Sequence, residues 1–410
     1  MMNTTPSPKL WRHADFLKLW TGSTVSLFGS QITFLAIPFT AILVLHVSAA
    51  QMSFLVLAES LPSLLIGLFA GVWVDRWPRR PLLIVADIGR ALLLGSIPLM
   101  VFLGLLRIEY LYVVAFLVGT LTLFFNVAYG AFLPALIDRK QLVDGNSKLE
   151  ASNLLAQIAG PALAGWLIQL VTAPLAILVD ACSFLVSACS LSMIRTQEQH
   201  PERKEIPHFW RDLGEGLRIL VQDPLLRPIA ACDATLNFFG GVMDVVRVLY
   251  IVQVLHLGAF FFGIMFSIAS TSALVGSLFN SWITRKLGIG RIILLSAFTL
   301  ALGWLLVPLA GGPAQVTIAV IVVGSLLFGI SNTLFNVNTQ SLRQQITPNE
   351  LLGRVGSCMQ FIGEGTLPIG ALIGGVLGQA LGLRTTFIIA CCGLFLAFLW
   401  VLFSPVRGRC

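Results

Sequence analysis

The stretch Gly71-Val72-Trp73-Val74-Asp75-Arg76-Trp77-Pro78-Arg79-Arg80-Pro81 sets one acid and three arginines between two long apolar runs. It reads either as a surface turn of a soluble core or as a short cytoplasmic connection between two transmembrane helices. Composition decides between these. The chain of 410 residues is 57% apolar and 11% charged, where soluble domains run roughly 45–50% and about 25%. The polar first 14 residues, with Pro6, Pro8, Lys9, Arg12 and His13, lack the apolar segment of a cleavable signal sequence, so the first helix is expected to enter the membrane.

Working outward from the turn, apolar runs bounded by charge, Gly or Pro predict spans near 14–46, 49–74, 82–105, 110–136, 146–172 and 174–194, then 225–256, 258–284, 291–310, 314–342, 354–380 and 384–404. Each reaches the roughly 20 residues a crossing needs. The expected fold is an all-α polytopic membrane protein: twelve transmembrane helices in two six-helix bundles, 1–194 and 225–410, joined by a cytoplasmic linker at 195–224. Within the linker, Phe209, Trp210, Leu213, Leu217, Leu220 and Val221 recur at helical spacing, with Arg211, Asp212, Glu215 and Arg218 on other faces. That pattern predicts an amphipathic helix on the membrane surface, with a partner-binding helix as the alternative.

Positively charged loops stay cytoplasmic. Of 26 Lys and Arg, 22 fall on the side that carries Arg76, Arg79 and Arg80. Arg107 and Arg384 lie opposite, and Arg90 and Arg247 fall inside helices. Both termini are therefore expected in the cytoplasm of a cell-membrane protein, and the net charge of +7 reflects topology, not a nucleic-acid partner. The seven cysteines form no C-x-x-C pair and read as core-filling thiols.

The two halves resemble each other. Val44-Leu45-His46-Val47 closes the first span and Val254-Leu255-His256-Leu257 the seventh, an offset of 210 (256 − 46). The same offset carries Asp75 and Arg76 to Arg285 and Lys286, so the second copy keeps cations and lacks the acid. Six intervening helices make this a parallel repeat.

The 6+6 layout, the parallel repeat and the 71–81 turn resemble the major facilitator superfamily of secondary transporters. The family's loop, Gly-x-x-x-Asp-Arg-x-Gly-Arg-Arg/Lys, is matched by Gly71, Asp75, Arg76, Arg79 and Arg80, with Pro78 in place of the second glycine. Asp87 and Arg90 follow at i, i+3. The linker string FWRDLGEGLRIL is similar to the branch holding macrolide-efflux and enterobactin-exporter proteins. Gly160-Pro161-Ala162-Leu163-Ala164-Gly165 in the fifth span resembles the Gly-Pro-x-x-Gly-Gly motif of the superfamily's antiporters, with Ala164 replacing one glycine. Ordinary small-residue packing is the alternative, since Gly and Ala permit close helix contact and Pro161 bends the chain. Pro368, Gly370, Gly374 and Gly375 echo it in the eleventh span. The resemblance implies a gating role for the turn, with Asp75 pairing to cations or to the N-terminus of a helix in the other half.

Ionisable groups inside a membrane each cost about 2.5–3.5 kcal/mol at a helix centre and are kept only with compensation. The spans hold Glu59, Asp180, Asp233, Asp244 and Glu364, with Arg247 one turn from Asp244 and able to pair with it. Burial disfavours the charged form of a carboxyl, so such a group can load a proton on one side and release it on the other. Glu59, Asp244 and Glu364 are the expected proton carriers, because the resemblance sets their helices around a central cavity; a paired structural acid is the competing reading for each. The resemblance implies that Asp180 packs outside that cavity, and Asp233, near the cytoplasmic end of its helix, is expected to face the interface. Gln31, Asn126, Tyr129, Asn153, Gln157, Asn237, Asn332, Asn336 and Gln340 are the expected polar lining of a roomy, phenylalanine-rich pocket, with interhelical hydrogen bonding the alternative.

No nucleotide-binding G-x-x-x-x-G-K-[ST] string, H-E-x-x-H or G-x-S-x-G occurs, so neither a nucleotide motor, a metal site nor a hydrolase is expected, and no cofactor. The reading is a secondary transporter, not an enzyme: a monomer in the lipid bilayer that exchanges protons for amphipathic organic compounds such as drugs, macrolide-like compounds or siderophores. An importer or facilitator in the same fold, or a non-transporting sensor or scaffold, is the alternative.

Overall fold

The computed structural model describes residues 10, 13–74, 76–195, 209–348 and 351–408, and only the backbone of 68, 71, 72, 139, 209–213, 215 and 216. Among the described residues the chain is all helical, in the order α1 (Ala14–Leu43), α2 (Ala49–Val74), α3 (Arg79–Phe102), α4 (Ile108–Leu136), α5 (Leu142–Val171), α6 (Ala173–Ser192), α7 (Phe209–Gln222), α8 (Leu226–Leu249), α9 (Ala259–Leu287), α10 (Ile289–Leu309), α11 (Ala314–Ile346), α12 (Leu352–Leu381) and α13 (Leu383–Leu402). All but α7 are long and apolar enough to cross a membrane, which makes 12 spans. A π-helical turn, Tyr250–Val254, extends α8, so the seventh span runs Leu226–Val254. The short α7 is the amphipathic element of the linker. Its Leu220 is buried against Leu225, Leu226 and Ile229, while Leu217 and Val221 are exposed.

By their contacts the residues separate into two compact units, Met1–Leu45 with Ala58–Glu205 and His46–Leu57 with Ile206–Cys410. In the first unit α6 packs on α1 and α3, α4 on α3, and α5 on α1. Its core joins Phe16, Leu19, Leu83, Phe125, Phe132 and Leu133. In the second, α8 packs on α12 and α13, and α11 on α9 and α10.

The repeat is kept in the helix bounds themselves. Four helices start 210 residues after their counterparts: Ala49 and Ala259, Arg79 and Ile289, Leu142 and Leu352, Ala173 and Leu383 (259 − 49, 289 − 79, 352 − 142, 383 − 173). The backbone follows. His46 and His256 both adopt left-handed φ, 51° and 54°, and Thr172 and Gly382 share φ 92° and 83° as one-residue corners between α5 and α6 and between α12 and α13. The caps follow too: His13 Nδ1 accepts from Phe16 N at 3.1 Å, and Asp223 Oδ1 accepts from Leu225 N at 2.8 Å. The first span ends at Leu43, short of the predicted 46, because a left-handed His46 cannot continue a right-handed helix.

One expectation is corrected. Cys232, Cys358 and Cys391 are buried, but Cys182, Cys189 and Cys392 are exposed, so of these six only the first three fill a core. A helix that is apolar all round carries the same residue types on its outer face as on its inner one.

Candidate substrate cleft and buried ionisable clusters

In the second unit α8, α11 and α12 enclose two cavities that share Asp233, Phe335 and Asn336. One, of 280 Å³, reaches Asn237, Asp244, Arg247, Trp304, Phe328 and Asn332. The other, of 470 Å³, reaches Thr339, Gln340, Arg343, Ser357 and Gln360. Asn332, Asn336 and Gln340 recur every four residues on α11 and so form one polar strip, with Asn336 Nδ2 donating to Asn332 Oδ1 at 3.1 Å. From α8, Asn237 Nδ2 donates to the Asp233 carbonyl at 2.9 Å.

α8 approaches α12 closely because glycines face it. A Cβ at Gly370 would meet the Phe238 backbone, at Gly374 the Val242 backbone at 2.6 Å, and at Gly363 the Asp233 carboxylate at 2.7 Å. These contacts hold the α8 acids at the cavity wall. Asp233, expected to face the interface near the cytoplasmic end, stands where the two cavities meet, with Arg343 as an opposite charge within electrostatic reach. Sequence alone left Arg343 among loop cations; its recurrence four and seven residues after Thr339 and Asn336 was the available signal.

Arg247 Nη2 lies 3.0 Å from Asp244 Oδ1. The guanidinium is buried over Phe266 and Trp304, 4.8 and 5.2 Å from the ring centroids, while the Asp244 side chain keeps 36% exposure toward the cavity. Aromatic faces carry a negative quadrupole, so they hold the cation where water is scarce and leave the carboxylate to face the cavity. Glu364 accepts a 2.8 Å hydrogen bond from Gln360 Nε2 on the same helix and is exposed. Glu59, on α2, is also exposed; its carbonyl lies against Gly119 of α4.

The first unit brings together a different set. Asp87 and Arg90 of α3 form a salt bridge with side-chain exposures of 0% and 4%. The Arg90 guanidinium is clamped between Phe125 of α4 and Phe184 of α6, 4.3 and 4.1 Å from the ring centroids. Asp180 of α6, 1% exposed, lies within electrostatic reach of both and accepts from Ser183 Oγ at 2.9 Å. Asp180 packs inside the α1–α3–α6 core.

The turn that opened the sequence separates into parts. Asp75 lies outside the described residues, and of Gly71 only the helical backbone is described. Arg76 is exposed. Arg79 Nη1 donates to the Ala131 carbonyl of α4 at 3.0 Å, and Arg80 donates to the carbonyls of Leu191, at 2.9 Å, and Ser192 at the end of α6. These two arginines tie α3 to α4 and α6, and at the end of α6 the dipole favours a cation.

Gly160 gives room to Gln31: a Cβ there would lie 2.6 Å from Gln31 Cγ. Pro161 and Gly165 are buried beside it, so the antiporter-like string seats α5 on α1. Asn153 accepts from Gln157 at 3.2 Å, Tyr129 stacks on Phe125 at 5.7 Å, and Asn126 is exposed.

Twelve helices long and apolar enough to cross a membrane, with a polar cleft between helices of one unit, mark a multi-pass membrane protein. A profile described as Major Facilitator Superfamily matches residues 19–367, and the chain belongs to that family. It is 25% identical to macrolide efflux protein A of Streptococcus pyogenes over 92% of each chain. It is 26% identical to the multidrug efflux pump Tap of Mycolicibacterium fortuitum over 88% of each. Among solved structures, a bacterial homologue of the iron transporter ferroportin in its inward-facing state shares the fold, with a TM-score of 0.78 at 17% identity over 96% of this chain and 99% of that one.

Proposed function

We propose that the chain is a proton-coupled exporter of amphipathic organic compounds that works by alternating access. The cleft of the second unit carries this reading: aromatic walls, a strip of amides and one aromatic-held ion pair in adjoining cavities of 280 and 470 Å³. Apolar walls bury hydrocarbon, amides accept varied hydrogen-bonding patterns, and few fixed charges impose no single geometry. The efflux relatives support the outward direction. Gln31, Asn126, Tyr129, Asn153 and Gln157 are the candidate substrate contacts of residues 1–194, and residues 195–224 link this half to 225–410.

A proton entering the cell releases about 2.3 kcal/mol per 100 mV, enough to bias such a cycle. Glu59, Asp244 and Glu364 carry it, with Arg247 holding the Asp244 charge between loadings. Both termini lie in the cytoplasm and the chain acts as a monomer. Asp75 latches the turn, so Asp75→Asn slows transport and leaves substrate binding intact.

Expression in an efflux-deficient bacterial host, challenged with a panel of macrolides and amphipathic dyes, tests the reading. Raised tolerance that an uncoupler abolishes is expected. Uptake of the same compounds without opposing proton flux would overturn export. Replacing Glu59, Asp244 and Glu364 by amides in turn should reduce substrate-driven proton release from the purified protein; unchanged release in all three would remove these carriers.

A further inference from the structure

We infer that Asp87, Arg90 and Asp180 form a site that binds one proton, sealed inside the first unit. The inference rests on the proton-coupled reading only for its part in transport; the site stands on its own geometry.

The argument is a count of charges in a sealed space. Two carboxyls and one guanidinium sum to minus one if all are ionised, and their side chains are at most 4% exposed. An excess buried charge costs several kcal/mol in a low dielectric, whereas one proton makes the set neutral. Among the described residues no other charge acts on these three groups. From α1 the facing group is Thr33, from α4 Thr122 and Phe125, and from α6 Ser183, Phe184 and Ser187. None is a cation. Tyr129, stacked behind Phe125, is neutral near pH 7. The charged Asp15 and Lys18 of α1 and Glu109 of α4 lie about 15 Å or more away along their helices, and Arg80 of α3, turned to the α6 carbonyls, about 10 Å.

The hydrogen bonding agrees. Asp87 Oδ2 and Asp180 Oδ2 each lack a partner, so either oxygen can bear the proton. The Thr33 hydroxyl, 9% exposed, faces Asp180, placed to accept the bond that a neutral carboxyl donates. Gly29 of α1 leaves the room: a Cβ there would run into Asp180 and Ser183. The site is closed in this conformation, so the proton exchanges when α1, α3 and α6 part. That couples occupancy to a rearrangement of the unit.

The test is infrared titration of the purified full chain in lipid nanodiscs over about pH 5–9, reading the carbonyl stretch of neutral carboxyls in wild type minus variant. Charge counting gives different results for each substitution. Asp87→Asn and Asp180→Asn each leave one acid with one arginine, so each difference should contain one neutral carboxyl. Arg90→Gln leaves two acids and no cation, so it should gain one. Differences showing no lost neutral carboxyl in either aspartate variant would overturn the site, and Arg90→Gln keeps the test open if one of them fails to fold. The result does not depend on a substrate. Ethidium transport in vesicles, run in parallel, decides the export reading separately.

Discussion

Thr172 is a β-branched residue at φ 92°, outside the space such side chains ordinarily occupy, while its repeat partner Gly382 meets the same corner at φ 83° without strain. Strain of this kind costs about 1–3 kcal/mol. Thr172→Gly should therefore raise the thermal unfolding midpoint, and Gly382→Thr should lower it, as read by fluorescence-detected melting in detergent. Arg80 makes its point through carbonyls. Arg80→Gln should cost about 0.5–1 kcal/mol by uncapping the end of α6, with Arg76→Gln, at an exposed position, as the silent control in the same melt. Asp87 and Arg90, and Asp244 and Arg247, were legible as i, i+3 pairs because helical spacing alone sets that contact. Asp180 was not, since it reaches Arg90 only through the packing of α6 on α3, and residue spacing does not give the rotation of one helix against another. Arg79 and Arg80 announced charge but not the carbonyls they bind.

At the scale of elements, the glycines divide by what faces them. Gly67 in α2 and Gly130 in α4 face open space, whereas Gly370 faces the Phe238 backbone. Gly67→Ala and Gly130→Ala should be neutral or stabilise by about 0.4–1 kcal/mol, while Gly370→Val should push α12 from α8 at a cost of about 1–3 kcal/mol or more. The yield of monodisperse protein on size exclusion separates the two outcomes. The spans themselves were legible, because length and apolarity suffice for a membrane crossing. The α8–α12 contact was less so: a Gly-rich string marks close approach but does not name its partner helix.

Across the whole molecule, the repeat signalled by two histidines extends through helix starts, corners and caps, while side chains have diverged. Each unit has an Asp-x-x-Arg pair among aromatic rings, on helices the repeat does not relate, α3 and α8; in one it is sealed with an extra acid and in the other it opens on a cavity. Inserting one alanine beside Thr172 should turn all of α6 by about 100° and carry Asp180 away from Arg90, so folded protein should be lost. The same insertion in the loop at 103–107 should be tolerated; fluorescent size-exclusion profiles of tagged protein compare the two.

Joints of a single residue leave no slack. α5 ends at Val171 and α6 begins at Ala173, and α12 and α13 meet in the same way at Gly382. Such a corner works like an elbow welded at one angle: torque applied to one arm appears in the other. Whatever pushes α5 from the side of Gln31 therefore turns α6, and with it Asp180, without any linkage beyond the backbone.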